Sequence, residues 1–262
     1  MGRLRTASRL RGCAGRRLWD YLMDDVREDL LLEAELMILS FATGIQDAAV
    51  WIDYALFASN QTGNMLFLAI ASAGYSNGLK YVPNIATSLG TFVGGALLFG
   101  QLGNYVGPRK RWWLILSNVF QTVMVYAAAI VQYTVRRNPT GASASGVITL
   151  LAVSSGAQVG MGRALRITEI TTAMATSVFV DAVVDPDLMK LRNRRRNRRV
   201  IFLLNLTAGC FAGAWALRGV NSPFAFLLCA IVKSIATAAF FFNKRISKDG
   251  ADCADYGIED TG

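Results

Sequence analysis

Residues 34–52 read AELMILSFATGIQDAAVWI, an apolar run whose interior carries one amide and one carboxylate, Gln46-Asp47. A helix needs about 20 mostly apolar residues to cross the hydrocarbon core of a bilayer, and this run is long enough. Five more blocks of the same kind follow at 84–106, 112–134, 146–163, 200–219 and 222–242. Two further apolar blocks, Met65–Tyr75 and Thr172–Val184, are short, and each follows a polar stretch that contains threonine. The pattern predicts an all-α integral membrane protein with six transmembrane helices and two short helices. The short helices either re-enter the membrane from one side or span it, which leaves six or eight spans.

Composition agrees. Of the 262 residues, 53% are hydrophobic and only 17% are charged, against about 25% charged in an ordinary soluble domain. That argues against a disordered chain, a small disulfide scaffold and most soluble enzymes. There is no histidine, so the commonest general base and transition-metal ligand is missing. Cys13, Cys210, Cys229 and Cys253 form no CxxC or other metal spacing, and neither a disulfide nor a zinc site is expected. No GxSxG, Walker A, HExxH or strand-borne GxGxxG is present, so no catalytic residue, metal or cofactor is assigned and the chain is read as a non-enzyme.

The net charge of +9 would suggest nucleic acid in a soluble protein. Here the basic residues sit between the apolar blocks, and no nucleic-acid partner is expected. With a cytoplasmic N-terminus and six spans, 22 Lys/Arg fall on the cytoplasmic side and 4 outside; with eight spans the division is 20 to 6. Both obey the positive-inside rule. Six spans fit slightly better, and both arrangements leave both termini cytoplasmic, in a plasma or internal membrane. The expected organisation is a tail at 1–33, a membrane domain at 34–243 with halves at 34–134 and 146–243, and a second tail at 244–262. The run Arg192–Arg199 stands just before a span, where anionic lipid headgroups are its expected partners.

The halves echo each other. Gly44-Ile45-Gln46, Thr62-Gly63-Asn64, Gly90-x-Phe92-x-Gly94 and Leu116…Gln121 are followed in the same order by Gly156-Ala157-Gln158, Thr171-Thr172, Gly209-x-Phe211-x-Gly213 and Leu228…Lys233. Three spans per half make this an inverted 3+3 repeat, a common plan of secondary transporters. Short segments at matching places point to a site near the midplane. Thr62 and Thr171 or Thr172 are expected near half-helix N-termini, whose free N–H groups favour anions. The plainer reading is that Thr, Gly and Asn end one helix and start the next. The two G-x-F-x-G elements are expected to pack helices closely.

The residues expected to line a solute site are Gln46, Asp47, Asn60, Thr62, Gly63, Asn64, Gln158, Thr171 and Thr172. A carboxylate at mid-span costs roughly 2.5–3.5 kcal/mol on insertion scales, so Asp47 must face a cavity or a partner. It is either a coupling site or a structural group held by a hydrogen bond or an ion pair, with Lys233 the candidate partner. Asn60-Gln61-Thr62 is also a formal glycosylation sequon, disfavoured by its place at the membrane.

The segments Gly44-Ile45-Gln46-Asp47-Ala48 and Phe57-Ala58-Ser59-Asn60-Gln61-Thr62-Gly63-Asn64 resemble the YoaK-like family of bacterial and fungal membrane proteins. Its pattern is Gly-x-x-Asp-Ala, then Phe-x-Ala-Asn-x-Thr-Gly-Asn. Gly44, Asp47, Ala48, Phe57, Thr62, Gly63 and Asn64 match it, and Ser59, between Ala58 and Asn60, departs from it where the pattern has Ala. Gly156-Ala157-Gln158 and Thr171-Thr172 resemble the family's second element, with Ala173 where Gly is usual. The resemblance covers residues 34–245 and implies six spans without an activity. The expected function is a transporter or channel for a small solute, with an anion preferred. The alternative is a membrane scaffold or assembly factor working through the 190–199 loop or the tails. An oligomeric state is not assigned.

Overall fold

The computed structural model describes residues 19–75, 82–135, 138–190 and 192–246. The basic residues of the N-terminal tail before Trp19, together with Cys13, Lys80, Arg136, Arg137, Lys248 and Cys253, lie outside them. Helices are α1 (Leu30–Tyr54), α2 (Gln61–Ser72), α3 (Val82–Val106), α4 (Arg111–Thr134), α5 (Ala142–Ala164), α6 (Thr176–Val183), α7 (Arg194–Gly219) and α8 (Ser222–Ala239), which continues as a 3-10 turn, Phe240–Phe242. Six of these are long and apolar enough to cross a membrane. At about 1.5 Å per residue, α2 and α6 reach only about 18 and 12 Å, short of the roughly 30 Å core. The eight-span arrangement is therefore set aside.

The helix starts follow local chemistry. The Asp29 carboxylate accepts from the amides of Leu31 and Leu32, the Asn193 side chain from Arg196 and the Asn221 side chain from Phe224, each filling a free N–H of a first turn. The first transmembrane helix thus begins at Leu30, inside the expected tail. Ahead of it, the amides of Val26, Arg27 and Ile246 and that of Arg111 tie residues 24–27 to 109–111 and 244–246. This gathers the segments around the basic end of the bundle, called here the Arg-rich end.

In the bundle, α1 lies along α7 and α3 along α5; α5 also packs on α4, α1 on α8, and α4 on α8. Glycine sets the two closest approaches. A Cβ on Gly44 would stand 2.2 Å from Leu206 O, and one on Gly209 2.1 Å from Phe41 O. At the other crossing, a Cβ on Gly156 would stand 2.1 Å from Phe92 O, and one on Gly95 2.6 Å from Val153 O. Such small residues let backbones touch where lipid offers no hydrophobic drive. Of the two G-x-F-x-G elements, Gly209 and Gly213 pack as expected, but Gly90 and Gly94 face open space. Gly95 takes their place, because the packed face of α3 runs through it.

The interior has three layers. One apolar cluster, with Ile45, Ile148 and Phe226, fills one end. Another, with Leu36, Trp113, Met161 and Phe202, fills the Arg-rich end. Between them lie the buried polar residues Thr43, Gln46, Ser117, Gln121, Ser154, Ser155, Gln158 and Lys233.

Candidate functional site

The central polar layer draws one side chain after another from the four core helices. Gln46 Nε2 donates to Ser155 Oγ at 2.7 Å and to Leu151 O at 3.4 Å. Gln158 Nε2 donates to Thr43 Oγ1 at 2.9 Å and to Leu39 O at 3.5 Å. Each glutamine thus reaches the hydroxyl three residues before its counterpart and the carbonyl seven before it. Buried amides need such partners, since a missing one costs about 1–3 kcal/mol.

Lys233 closes the layer. Its ammonium donates to Gln158 Oε1 at 2.6 Å, Ser154 Oγ at 3.3 Å and Gln121 Oε1 at 3.4 Å. Gln121 stands ten residues into α4 and Lys233 eleven into α8, about 15 Å from those helix starts and so near half the hydrocarbon thickness. The side chain is 1% exposed, too deep to snorkel. All three of its partners are neutral.

Asp47 is elsewhere. The chain reverses at Ala55, whose φ of 55° is left-handed, and runs back beside α1. There the Asp47 carboxylate accepts from the amides of Ala58 (3.2 Å) and Ser59 (3.0 Å) and from the Ser59 hydroxyl. The expected Asp47–Lys233 ion pair is not formed; each group has its own neutral partners. Ser59, where this chain departs from the motif, supplies two of the three bonds.

The rest of the first motif holds the same loop. Asn64 accepts from the Phe57 amide at 2.9 Å and donates to Phe57 O, Gln61 Oε1 and Ser88 Oγ. Gly63 leaves room for the Phe57 ring, which forms a cluster of three rings with Trp51 and Phe67. Asn60 and Thr62 are exposed, and Asn60 caps α2 without a side-chain bond.

In the second half, α6 begins at Thr176, so neither Thr171 nor Thr172 caps it. Thr171 Oγ1 donates to Met174 O at 2.5 Å. Thr172 is buried, with φ of 60°, and lies against Gly162. The helix α2 packs on α3 and α6 on α7, at opposite ends of the bundle. The threonine breaks therefore do not meet at mid-depth. Of the expected lining residues, Gln46 and Gln158 come together; Asp47, Asn60, Thr62, Gly63 and Asn64 belong to one loop, and Thr171 and Thr172 to the other.

In the Arg192–Arg199 run, four arginines lie within reach of carboxylates. Arg194 and Arg198 both bind Glu33, and Arg198 reaches Glu28 at 2.9 Å and Glu169 at 3.8 Å. Arg195 lies 3.9 Å from Glu169 and Arg199 3.1 Å from Asp185. Sequence reading passed over Glu33, Glu35 and Asp53, all buried in α1. Glu35 accepts from Asn243, and Asp53 accepts from Ser222 and Gln132. The available signal was their place at the ends of a span, where a short tail and a loop hid them.

Six spanning helices around a buried polar layer define a polytopic helical membrane protein. A family profile described as a protein of unknown function, DUF1275, matches residues 36–239, and the chain belongs to that family, in agreement with its YoaK-like motifs. No curated protein and no solved structure matches it.

Proposed function

We propose that this protein moves a small anion across the bilayer, with Lys233 as the charge that receives it. One observation carries the reading: an ammonium at mid-depth held only by Gln121, Ser154 and Gln158. A cation in the hydrocarbon region costs several kcal/mol unless it is paired, and such residues mark ion or proton pathways. A monoanion beside Lys233 completes the pair. Gln46, Gln158 and the serine hydroxyls supply neutral donors around it. The preference for an anion thus rests on Lys233, and Asp47 and the threonine breaks have no part in it.

The same reading takes the two halves as an inverted repeat. Three pairings support it: α1 on α7 with α5 on α3, α1 on α8 with α5 on α4, and α2 on α3 with α6 on α7. The exchanged glutamine bonds and the matched glycine approaches obey the same swap. In alternating access, one half rocks against the other about a central site. The excess of Lys/Arg supports a cytoplasmic Arg-rich end, with both flanking segments on that side.

The test is flux. Full-length protein in liposomes is expected to speed entry of chloride, nitrate, formate or acetate over protein-free vesicles. Lys233→Met should abolish that flux while leaving a monodisperse protein. Flux of all four anions at the protein-free rate, or full flux in Lys233→Met, defeats the proposal. A non-transporting scaffold is the second reading. It is favoured by the mutual bonding of the central layer and by three peripheral clefts whose linings do not include Lys233.

A further inference from the structure

A cleft of about 670 Å³ opens between α3 and α5 at the Arg-rich end. Arg109, Arg163 and Arg166 line it together with Gln101 and Asn104, and no carboxylate does. Its floor is the close crossing itself, where a Cβ on Gly160 would meet Ala96 O at 2.8 Å and Gly100 N at 3.1 Å. The floor is therefore backbone, shallow and fixed, and the walls are long polar side chains.

These arginines differ from the run on α7. Arg194, Arg195, Arg198 and Arg199 all reach carboxylates. Among the described residues, the Arg163 guanidinium bonds to Met174 Sδ at 3.7 Å, and neither Arg163 nor Arg166 has a carboxylate partner there. Both are exposed. Arg109 is anchored by Leu165 O at 3.2 Å and lies 3.7 Å from Glu28, so it is only partly neutralised. Arg166 takes a left-handed φ of 61°, a conformation that costs a non-glycine residue of order 1 kcal/mol. The turn after α5 thereby sets its side chain beside that of Arg163.

We infer that this cleft binds a phosphate group, carried by the headgroup of an anionic phospholipid. Guanidinium groups match phosphate oxygens two at a time, and basic pockets between transmembrane helices suit such headgroups. The amides of Gln101 and Asn104 can bond to the remaining headgroup oxygens. The volume exceeds that of a bare phosphate, which leaves room for a glycerol. The site is separate from the Lys233 layer and does not rest on transport.

Native mass spectrometry of the full-length protein, offered phosphatidylglycerol and phosphatidylcholine in equal amounts, tests the idea. The wild type is expected to retain phosphatidylglycerol over phosphatidylcholine by about tenfold. Arg163→Gln with Arg166→Gln should bring the ratio near parity. Arg218→Gln, at the opposite end and over the Trp215 ring, should leave it unchanged. Arg163→Gln alone, with about a threefold loss, serves if the double variant does not fold. Without lipid selectivity, binding of inorganic phosphate that the double variant abolishes keeps the phosphate site and assigns it a soluble source. Lipid retention and phosphate binding that are the same in the wild type and the double variant, or an equal loss in Arg218→Gln, overturn the inference.

Discussion

At one crossing Gly44 lies against Leu206 and Gly209 against Phe41; at the other Gly156 lies against Phe92 and Gly95 against Val153. The backbones meet in the same register, yet the side chains just beyond differ. Past the first crossing stand Trp51 and Trp215, both exposed, with Arg218 over the Trp215 ring. At the matching places past the second stand Arg163 and Gln101. The helix starts differ in the same way. Arg198 binds Glu33 between α7 and α1, where Asn84 accepts from Ser145 at 3.0 Å between α3 and α5. Close backbone contact tolerates only glycine, so that part is held in common. The rim faces lipid or water and is free to carry aromatic anchors at one end and guanidinium groups at the other.

The comparison breaks most readily at the glycines. Gly44→Val and Gly156→Val should each cost about 3 kcal/mol or more, because neither crossing can open without moving backbone. Yields of folded protein and thermal melts in detergent check this, and tolerance at only one of the two sites would end the likeness. Next comes the pair of helix starts. Arg198→Gln leaves Glu33 buried without its main partner and should cost about 3 kcal/mol, whereas Asn84→Ala removes a neutral bond and should cost about 1 kcal/mol. Equal losses in the two melts would show that charge is not what separates the ends.

The two loops that carry the threonines differ as well. Asp47→Ala removes the acceptor of two loop amides and should cost about 2 kcal/mol. It should also speed hydrogen exchange at residues 56–60; unchanged exchange there would remove Asp47 from the loop's support. In the central layer, Gln158→Leu also removes the shortest acceptor of the Lys233 ammonium and should cost about 2 kcal/mol, against about 1 kcal/mol for Gln46→Leu; equal losses would show that the bond to Lys233 adds nothing. The smallest effect belongs to Gly94→Ala, which meets open space and should stay within about 0.5 kcal/mol.

Which of these features the sequence carried depends on the distance over which each is decided. The spans were legible because a bilayer demands a long apolar run whatever the neighbours are. Gln46 and Gln158 stood out as amides in such runs. The Asp47 motif was visible as residues but not as a loop clamp, because its partners, the amides of Ala58 and Ser59, are backbone and leave no mark in composition. Pairing Asp47 with Lys233 assumed that opposite charges in a membrane find each other, and local hydrogen bonds satisfied each first. Reading Gly90 and Gly94 as the packed pair missed the turn of helix that brings Gly95 inward. The Arg192–Arg199 run looked free because Glu33 and Glu169 are distant in sequence and adjacent only after folding.

The polar furnishing of α1 has a consequence for biogenesis. This helix carries Glu33, Glu35, Gln46, Asp47 and Asp53, and the groups that satisfy Glu33, Glu35, Gln46 and Asp53 come from α4, α5, α7, α8 and the segment after α8. A ribosome makes α1 first and those partners last. Alone in lipid, the helix would hold carboxylates that nothing yet neutralises. The nascent chain is therefore expected to keep α1 at the insertion machinery until the C-terminal half emerges. Photo-crosslinks from α1 to the insertion machinery should persist in nascent chains stopped after Gly141 and be lost in chains completed through Ile246; loss in both would end the idea.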